Sequence, residues 1–138
     1  MTHEIDCGWR GDMAFAARID GHEIMLDAEP AFGGKDSGPR PKALTLVSLA
    51  GCTGMDVVSI LKKMREPVSW FNVKVRGELT EEHPKSYASI VVVYQFKAAD
   101  GLNDQNVRKA IELSQERYCG VNALLKKATK VAHEVEYL

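Results

Sequence analysis

Residues 41–65, PKALTLVSLAGCTGMDVVSILKKMR, decide the fold of this chain. The first half of the stretch is apolar at nearly every position, which is typical of a helix buried inside a protein rather than one lying on its surface. Pro41 suits the first turn of a helix, basic residues fill the last turn and complement the helix dipole, and Pro67 cannot continue the helix. We therefore predict a long central helix over 42–65.

A helix that is apolar on every side needs cover on every side. One sheet covers one face, so we expect a second subunit to cover the rest and predict a homodimer. The length of 43–61 would also suit a membrane span. Asp56 argues against a span, because an ionised carboxylate in the bilayer costs about 3 kcal/mol. The N-terminus shows no secretory signal pattern, and the few cysteines fit a reducing compartment, so we expect a cytoplasmic protein without a membrane partner.

Strands are predicted on both sides of this helix. Asp20-Gly21 is a strong signal for a two-residue hairpin turn, and 87–98 is the clearest strand because of its β-branched run. Asn103 or Asp104 is expected to cap a second helix, which Gly120 bends or splits. The predicted strands are 2–9, 13–19, 22–28, 68–79, 87–98 and 131–138. This order predicts a single α+β domain over 1–138 with a mostly antiparallel sheet.

The apolar face of the second helix follows from the same spacing. Its predicted members are Val107, Ala110, Ile111, Ser114, Tyr118, Val121, Leu124 and Leu125.

Composition excludes several classes of function. The chain has 138 residues and a formal net charge of -1, with no block of like charge, so nothing favours a nucleic-acid partner. Its four histidines have no metal-ligand spacing with one another or with the cysteines. The glycine-rich segment 33–38 fits neither a phosphate-binding loop nor a dinucleotide fingerprint. We therefore expect neither a metal nor a cofactor.

Three cysteines are the candidates for chemistry. Cys52 and Cys119 each lie in a helical pattern, and two helices packed on one sheet can bring two sulfurs within disulfide range. Small residues around Cys52 leave room for a substrate or another chain segment. A buried cysteine is also a small apolar side chain with no reactivity, so two unrelated core cysteines stay an open alternative. Cys7 lies in an N-terminal strand and is expected to be structural.

Several segments of the chain resemble the OsmC/Ohr family of thiol-dependent peroxidases. The resemblance is carried by 41–44 and 49–57, by the strand pair around 75–78 and 83–84, and by 110–114 and 118–121. It covers nearly the full length and implies an OsmC-like fold that forms an intertwined homodimer with active sites at the subunit interface.

The resemblance also implies roles for particular residues. Cys52 matches the cysteine that attacks a hydroperoxide and becomes a sulfenic acid. Cys119 matches the cysteine that closes a disulfide, which an external dithiol reductant then opens. Arg10 is the best match for the arginine that stabilises the thiolate, and Arg18 is a poorer one, because a guanidinium beside sulfur favours the ionised form.

One position departs from the hydroperoxide-resistance branch of the family. That branch has a glutamate at the start of the central helix, where it orients the arginine, whereas the matching position here is Lys42. A lysine repels an arginine, so the chain is more similar to a YhfA-like subgroup. Lys42 is a candidate for the activating cation, and Glu116, near Cys119, is a candidate for orienting the arginine.

The sequence therefore leaves two functions open. The first is a cysteine-based peroxidase that reduces organic hydroperoxides through a Cys52–Cys119 disulfide. The alternative is a non-catalytic dimer of the same fold, which binds a small molecule or senses redox state.

Overall fold

The computed structural model describes residues 1–138, in which six strands form two separate three-stranded sheets. The chain divides into two units, Met1–Thr45 and Leu46–Leu138. The strands are β1 (Asp6–Trp9), β2 (Phe15–Ile19), β3 (His22–Leu26), β4 (Phe71–Leu79), β5 (Tyr87–Phe96) and β6 (Lys130–Tyr137). The α-helices are α1 (Leu44–Lys63), α2 (Asp104–Leu113) and α3 (Gly120–Leu125). Every predicted element exists, and most are a few residues shorter at their ends than the sequence suggested.

The first unit contains the antiparallel sheet β1-β2-β3. β2 and β3 are joined by Asp20 and Gly21, whose φ angles of 52° and 79° are both positive. Two consecutive positive φ angles are the requirement of a tight hairpin turn whose twist matches its strands. The hairpin predicted at this dipeptide is therefore confirmed.

A buried carboxylate organises the loop that follows β3. Asp27 accepts hydrogen bonds from the backbone N–H groups of Ala28, Lys35 and Ser37 and from the Ser37 hydroxyl. These bonds hold the pKa of Asp27 well below its usual range, with the Ser37 hydroxyl making the largest contribution. The glycine-rich loop is thus closed around a structural anion.

The second unit contains the sheet β4-β5-β6. β4 and β5 pair antiparallel, as predicted, and β5 and β6 pair parallel. The only parallel pairing is this last one, so the mostly antiparallel character predicted from the sequence is confirmed. β5 is the central strand, and its buried side chains form one apolar cluster with those of α1 and α2. The main members of this cluster are Leu49, Val57, Leu61, Ile90, Val92, Tyr94, Phe96, Val107, Ala110 and Ile111.

Helix α1 is buried on one face only. Its buried residues, Leu49, Thr53, Val57 and Leu61, follow one another at intervals of four. The expectation that α1 is buried all round is wrong for the single chain, because other apolar residues of the helix stay exposed. By length and composition alone α1 could cross a membrane, a test that core helices of globular proteins also pass.

The second predicted helix is split before Gly120, as expected. Asn103 precedes α2 and caps it, because its side chain accepts a hydrogen bond from the Asn106 N–H. A wider π-type turn over Ser114–Tyr118 follows, closed by the bond from the Cys119 N–H to the Ser114 carbonyl. Cys119 has an extended backbone and precedes α3, so its predicted place inside a helix is wrong.

Candidate functional site

Cys52 lies in the middle of α1 and is half-buried. Its side chain packs against the apolar cluster of the second unit. Thr53, the next residue, points into the buried interior, whereas Gly51, the residue before it, is exposed. The thiol therefore lies at the boundary between the buried and the exposed face of the helix.

Cys119, which lies between the π-type turn and α3, is close to Cys52 in the folded chain. The π-type turn adds one residue to the helical turn, so the residue five positions after Ser114 takes the buried place that the fourth would take in a regular α-helix. Cys119 is consequently only 2% exposed, while Tyr118 is 58% exposed. The assignment of Tyr118 to the apolar face is therefore wrong, because the sequence pattern assumed a regular helix.

Three reactive atoms converge where these elements meet. The sulfurs of Cys52 and Cys119 and a carboxylate oxygen of Asp56 all lie within 4.8 Å of one another. Cys52 and Asp56 are four residues apart on α1 and so lie on the same side of the helix. The thiols are free, as is that of Cys7, which is exposed in the first unit.

The Cys119 thiol is kept protonated by its burial and by the residues around it. Desolvation is the largest cause that raises its pKa to about 12, and a hydrogen bond with Cys52 and the charge of Asp56 act in the same direction. The opposing contribution is the Asn122 N–H, which donates to the Cys119 sulfur at 3.3 Å. Cys119 is therefore a neutral thiol at physiological pH.

A chain of hydrogen bonds between buried hydroxyl groups ends at the Asp56 carboxylate. Ser114 Oγ donates to Asp56 Oδ2 at 2.9 Å, and Thr53 Oγ1 lies 2.8 Å from Ser114 Oγ and 2.6 Å from the hydroxyl of Tyr94. Gln115 Nε2 donates to the same tyrosine hydroxyl at 3.4 Å. Because each hydroxyl has a single proton, the donation to Asp56 fixes the direction of the others, from Tyr94 to Thr53 to Ser114.

A cleft of about 660 Å³ opens beside this group. Its lining includes Asp56 and one cation, Lys63, and is otherwise mostly apolar. The remaining lining residues are Met55, Ser59, Ile60, Leu113 and Tyr118. A small molecule in this cleft would therefore lie next to the carboxylate that is within 4.8 Å of both thiols.

Comparison with known proteins places this arrangement in a family. Residues 34–134 match the family model described as OsmC-like protein. The chain belongs to the OsmC-like family. It is 36% identical over 116 residues to Protein YhfA of Escherichia coli K12, a match that covers 84% of this chain and 83% of the relative. The OsmC/Ohr resemblance predicted from the sequence is thus confirmed.

Solved structures share the OsmC-like fold over its whole length. A hypothetical protein from Aquifex aeolicus VF5 superposes with a TM-score of 0.82 at 30% identity, covering 100% of this chain and 98% of the other. The organic hydroperoxide resistance protein OhrB of Bacillus subtilis superposes with a TM-score of 0.68 at 15% identity, covering 98% of each chain. The predicted α+β OsmC-like fold is therefore confirmed.

The other predicted site residues occupy surface positions of this OsmC-like chain. Arg10 is in the first unit, where its guanidinium lies 3.5 Å from the carboxylate of Glu23. Lys42 is exposed in the turn before α1. Glu116 is exposed, with its carboxylate 4.0 Å from the Lys126 ammonium. Their roles in catalysis stay predictions.

Sequence reasoning missed Asp56 and Ser114 as members of the site. The signal for Asp56 was present: it is an ionisable residue inside an apolar helix, one turn after Cys52. Ser114 was assigned to the apolar face of the second helix, and its position is buried as assigned. Its hydrogen bond to Asp56 joins residues 58 positions apart, which no local pattern encodes.

Proposed function

We propose that this chain is a cysteine-based peroxidase that reduces organic hydroperoxides, with Cys52 as the attacking thiol and Cys119 as its disulfide partner. The observation that carries the proposal is the proximity of the two sulfurs, within 4.8 Å, together with their unequal access to solvent. Cys119 is sealed and protonated, so the half-buried Cys52 is the thiol available for attack.

Reduction of the hydroperoxide proceeds in two steps, oxidation of Cys52 and formation of the disulfide. The Cys52 thiolate attacks one oxygen of the hydroperoxide, the O–O bond breaks, and the sulfur keeps the hydroxyl as a sulfenic acid while the alkoxide takes a proton and leaves as the alcohol. Cys119 then attacks the Cys52 sulfur, and its own proton leaves with the hydroxyl as water. An external dithiol reduces the resulting disulfide by exchange.

Membership of the OsmC-like family supports hydroperoxide chemistry in general, without identifying a substrate. Solved proteins of the same fold are described as organic hydroperoxide resistance proteins, and OhrB of Bacillus subtilis is one of them. We propose in addition that the chain acts in the cytoplasm as a homodimer and that Arg10 stabilises the Cys52 thiolate. Lys42 and Glu116 are the further candidates for thiolate activation.

Single-turnover kinetics with cumene hydroperoxide test the assignment. We expect Cys52→Ser to reduce peroxide consumption to the background rate. Cys119→Ser should complete the first step and accumulate a sulfenic acid that dimedone traps. Cys7→Ser, the matched control in the first unit, should react like the wild type. Equal rates for Cys52→Ser and the wild type would remove Cys52 from the mechanism.

A second candidate function is the binding of a small molecule without turnover. The cleft of about 660 Å³ beside Asp56 favours it, because its lining is mostly apolar and contains one cation. The kinetic experiment separates the two functions. A binding protein would consume hydroperoxide no faster than free cysteine does, with or without Cys52.

A further inference from the structure

The geometry points to a binding site for a thiophilic divalent cation, of which Zn²⁺ is the prototype, formed by Cys52, Asp56 and Cys119. The two sulfurs and a carboxylate oxygen lie within 4.8 Å of one another. Tetrahedral zinc with Zn–S bonds of about 2.3 Å places two sulfurs roughly 3.8 Å apart, so the side chains need to close by no more than about 1 Å. This site does not depend on peroxidase activity.

The electrostatics of the group favour a cation. Fully ionised, the three side chains would hold three negative charges within 4.8 Å of one another. A divalent ion compensates these charges directly and deprotonates the thiols that bind it. Thiolate ligands select zinc-like ions over magnesium or calcium, which prefer oxygen.

The surroundings of the three ligands resemble those of a metal site. Ser114 Oγ donates to Asp56 Oδ2, and the Asn122 N–H donates to the Cys119 sulfur, so two of the ligands are held by outer hydrogen bonds. Asp56 also lines the cleft, so the cleft reaches one of the three ligands. Three protein ligands leave the fourth position of a tetrahedral ion to water or another ligand. An ion bound here would leave neither sulfur free to form the disulfide.

Histidine spacing, on which the expectation of no metal rests, does not reveal this group of ligands. Cys52 and Asp56 are separated from Cys119 by more than sixty residues, and the π-type turn that brings Cys119 inward is not visible as a motif. The site therefore emerges only once the chain is folded.

Titration of the reduced full-length protein with Co²⁺ tests the site. Wild type and Cys7→Ser should each bind one Co²⁺ per chain, with a thiolate-to-cobalt charge-transfer band and visible bands typical of tetrahedral coordination, and Zn²⁺ should displace it. Cys52→Ser, Cys119→Ser and Asp56→Asn should each weaken Zn²⁺ affinity at least about 10-fold, the lower end of what loss of a supporting residue costs. Ser59→Ala, in the cleft beside Asp56, should bind normally.

A measurement on the unaltered protein covers the case in which a variant fails to fold. Zn²⁺ should protect the half-buried Cys52 from alkylation by a maleimide, and a chelator should restore its labelling, while the exposed Cys7 reacts at one rate throughout. The site is refuted if wild type shows no charge-transfer band or no protection. It is equally refuted if folded Cys119→Ser or Asp56→Asn binds Zn²⁺ as tightly as wild type.

Discussion

At the scale of single residues, the buried hydroxyl of Thr53 holds a central place. It lies between Tyr94 and Ser114 in a chain of donors that ends on Asp56. Tyr94 is buried, and burial is the largest cause that raises its pKa, so its hydroxyl keeps its proton and stays a donor. The hydrogen bonds thus hold the Asp56 carboxylate in a fixed position relative to β5, the strand that contains Tyr94.

Thr53→Val tests this chain by removing its middle hydroxyl without changing the shape of the side chain. The tyrosine hydroxyl then loses its acceptor inside the protein, and we expect a loss of about 1–3 kcal/mol in the free energy of unfolding. Tyr94→Phe removes the tyrosine hydroxyl but leaves Thr53 bonded to Ser114, and the Gln115 bond that it also removes is long, at 3.4 Å. It should therefore cost less, about 1 kcal/mol. Urea denaturation measures both, and a larger loss for Tyr94→Phe would contradict the direction of donation.

Asp104 offers a test that depends on pH. Its carboxylate accepts from the Tyr137 hydroxyl at 2.6 Å and from Arg108 at 2.7 Å, and these bonds lower its pKa. A lowered carboxyl pKa adds stability that is complete above the unfolded value of about 3.9 and is lost as the pH falls through the folded value. Tyr137 stays a donor across this range, because burial and Asp104 raise its pKa to about 12.

Asp104→Asn should therefore lower the melting temperature at pH 7, and its difference from wild type should shrink below a pH of about 4. Tyr137→Phe removes the other partner of the same bond and should show the same trend. The double variant should lose less than the sum of the two, because the residues share one interaction. Thermal unfolding followed by circular dichroism from pH 3 to 8, a range set to bracket the unfolded carboxyl value of about 3.9, decides the matter. A difference that does not vary with pH would refute the role of the carboxylate.

At the scale of elements, the π-type turn sets the phase of everything that follows α2. Five residues at the wider turn advance the chain around the helix axis about as far as four residues of an α-helix. Removing one exposed residue from the turn should therefore restore a regular helix without moving Cys119 from its buried place. Removing one from the regular part of α2 should rotate every later residue by about 100°.

Deletion of Glu116 and deletion of Glu112 form a matched pair, because both are exposed glutamates in surface ion pairs. After oxidation by diamide, we expect the Cys52–Cys119 disulfide to form in the Glu116 deletion as in wild type. It should fall to background in the Glu112 deletion. Mass spectrometry of the alkylated, unreduced proteins gives the yield. Loss of the disulfide in the Glu116 deletion alone would show that the turn itself, rather than its phase, positions Cys119.

The same elements show how far the sequence predicts the fold and the site. The hairpin at Asp20-Gly21 and the cap at Asn103 were predictable, because each depends on local backbone preferences. The split of the second helix was also predicted, but it falls at Cys119, one residue before Gly120. The burial of Cys119 in place of Tyr118 was not, because an added residue in a turn has no pattern of its own. The bond between Ser114 and Asp56 was equally hidden, since it is produced by packing.

At the scale of the whole molecule, α1 has an apolar face that the chain itself does not cover. Val47, Met55 and Val58 are 61%, 73% and 43% exposed. Gly51 lies along the same exposed side, and a Cβ there would meet nothing within 4 Å. Glycine inside a helix costs about 1 kcal/mol relative to alanine, and nothing within the chain requires it at this position. A face that is apolar and lined by a small residue fits the close approach of a second copy, in agreement with the homodimer proposed above.

Val58→Glu tests this proposal, because a carboxylate on a bare surface is tolerated whereas one buried between two apolar faces is not. We expect wild type to elute as a dimer in size-exclusion chromatography with light scattering, and Val58→Glu to dissociate into folded monomers. Lys63→Glu, which lies about 140° around the helix axis from Val58, introduces the same carboxylate away from this face and should stay dimeric. A monomeric wild type, or a Val58→Glu dimer as tight as wild type, would mean that no second subunit covers this face of α1, and the exposed glycine would then need a different explanation.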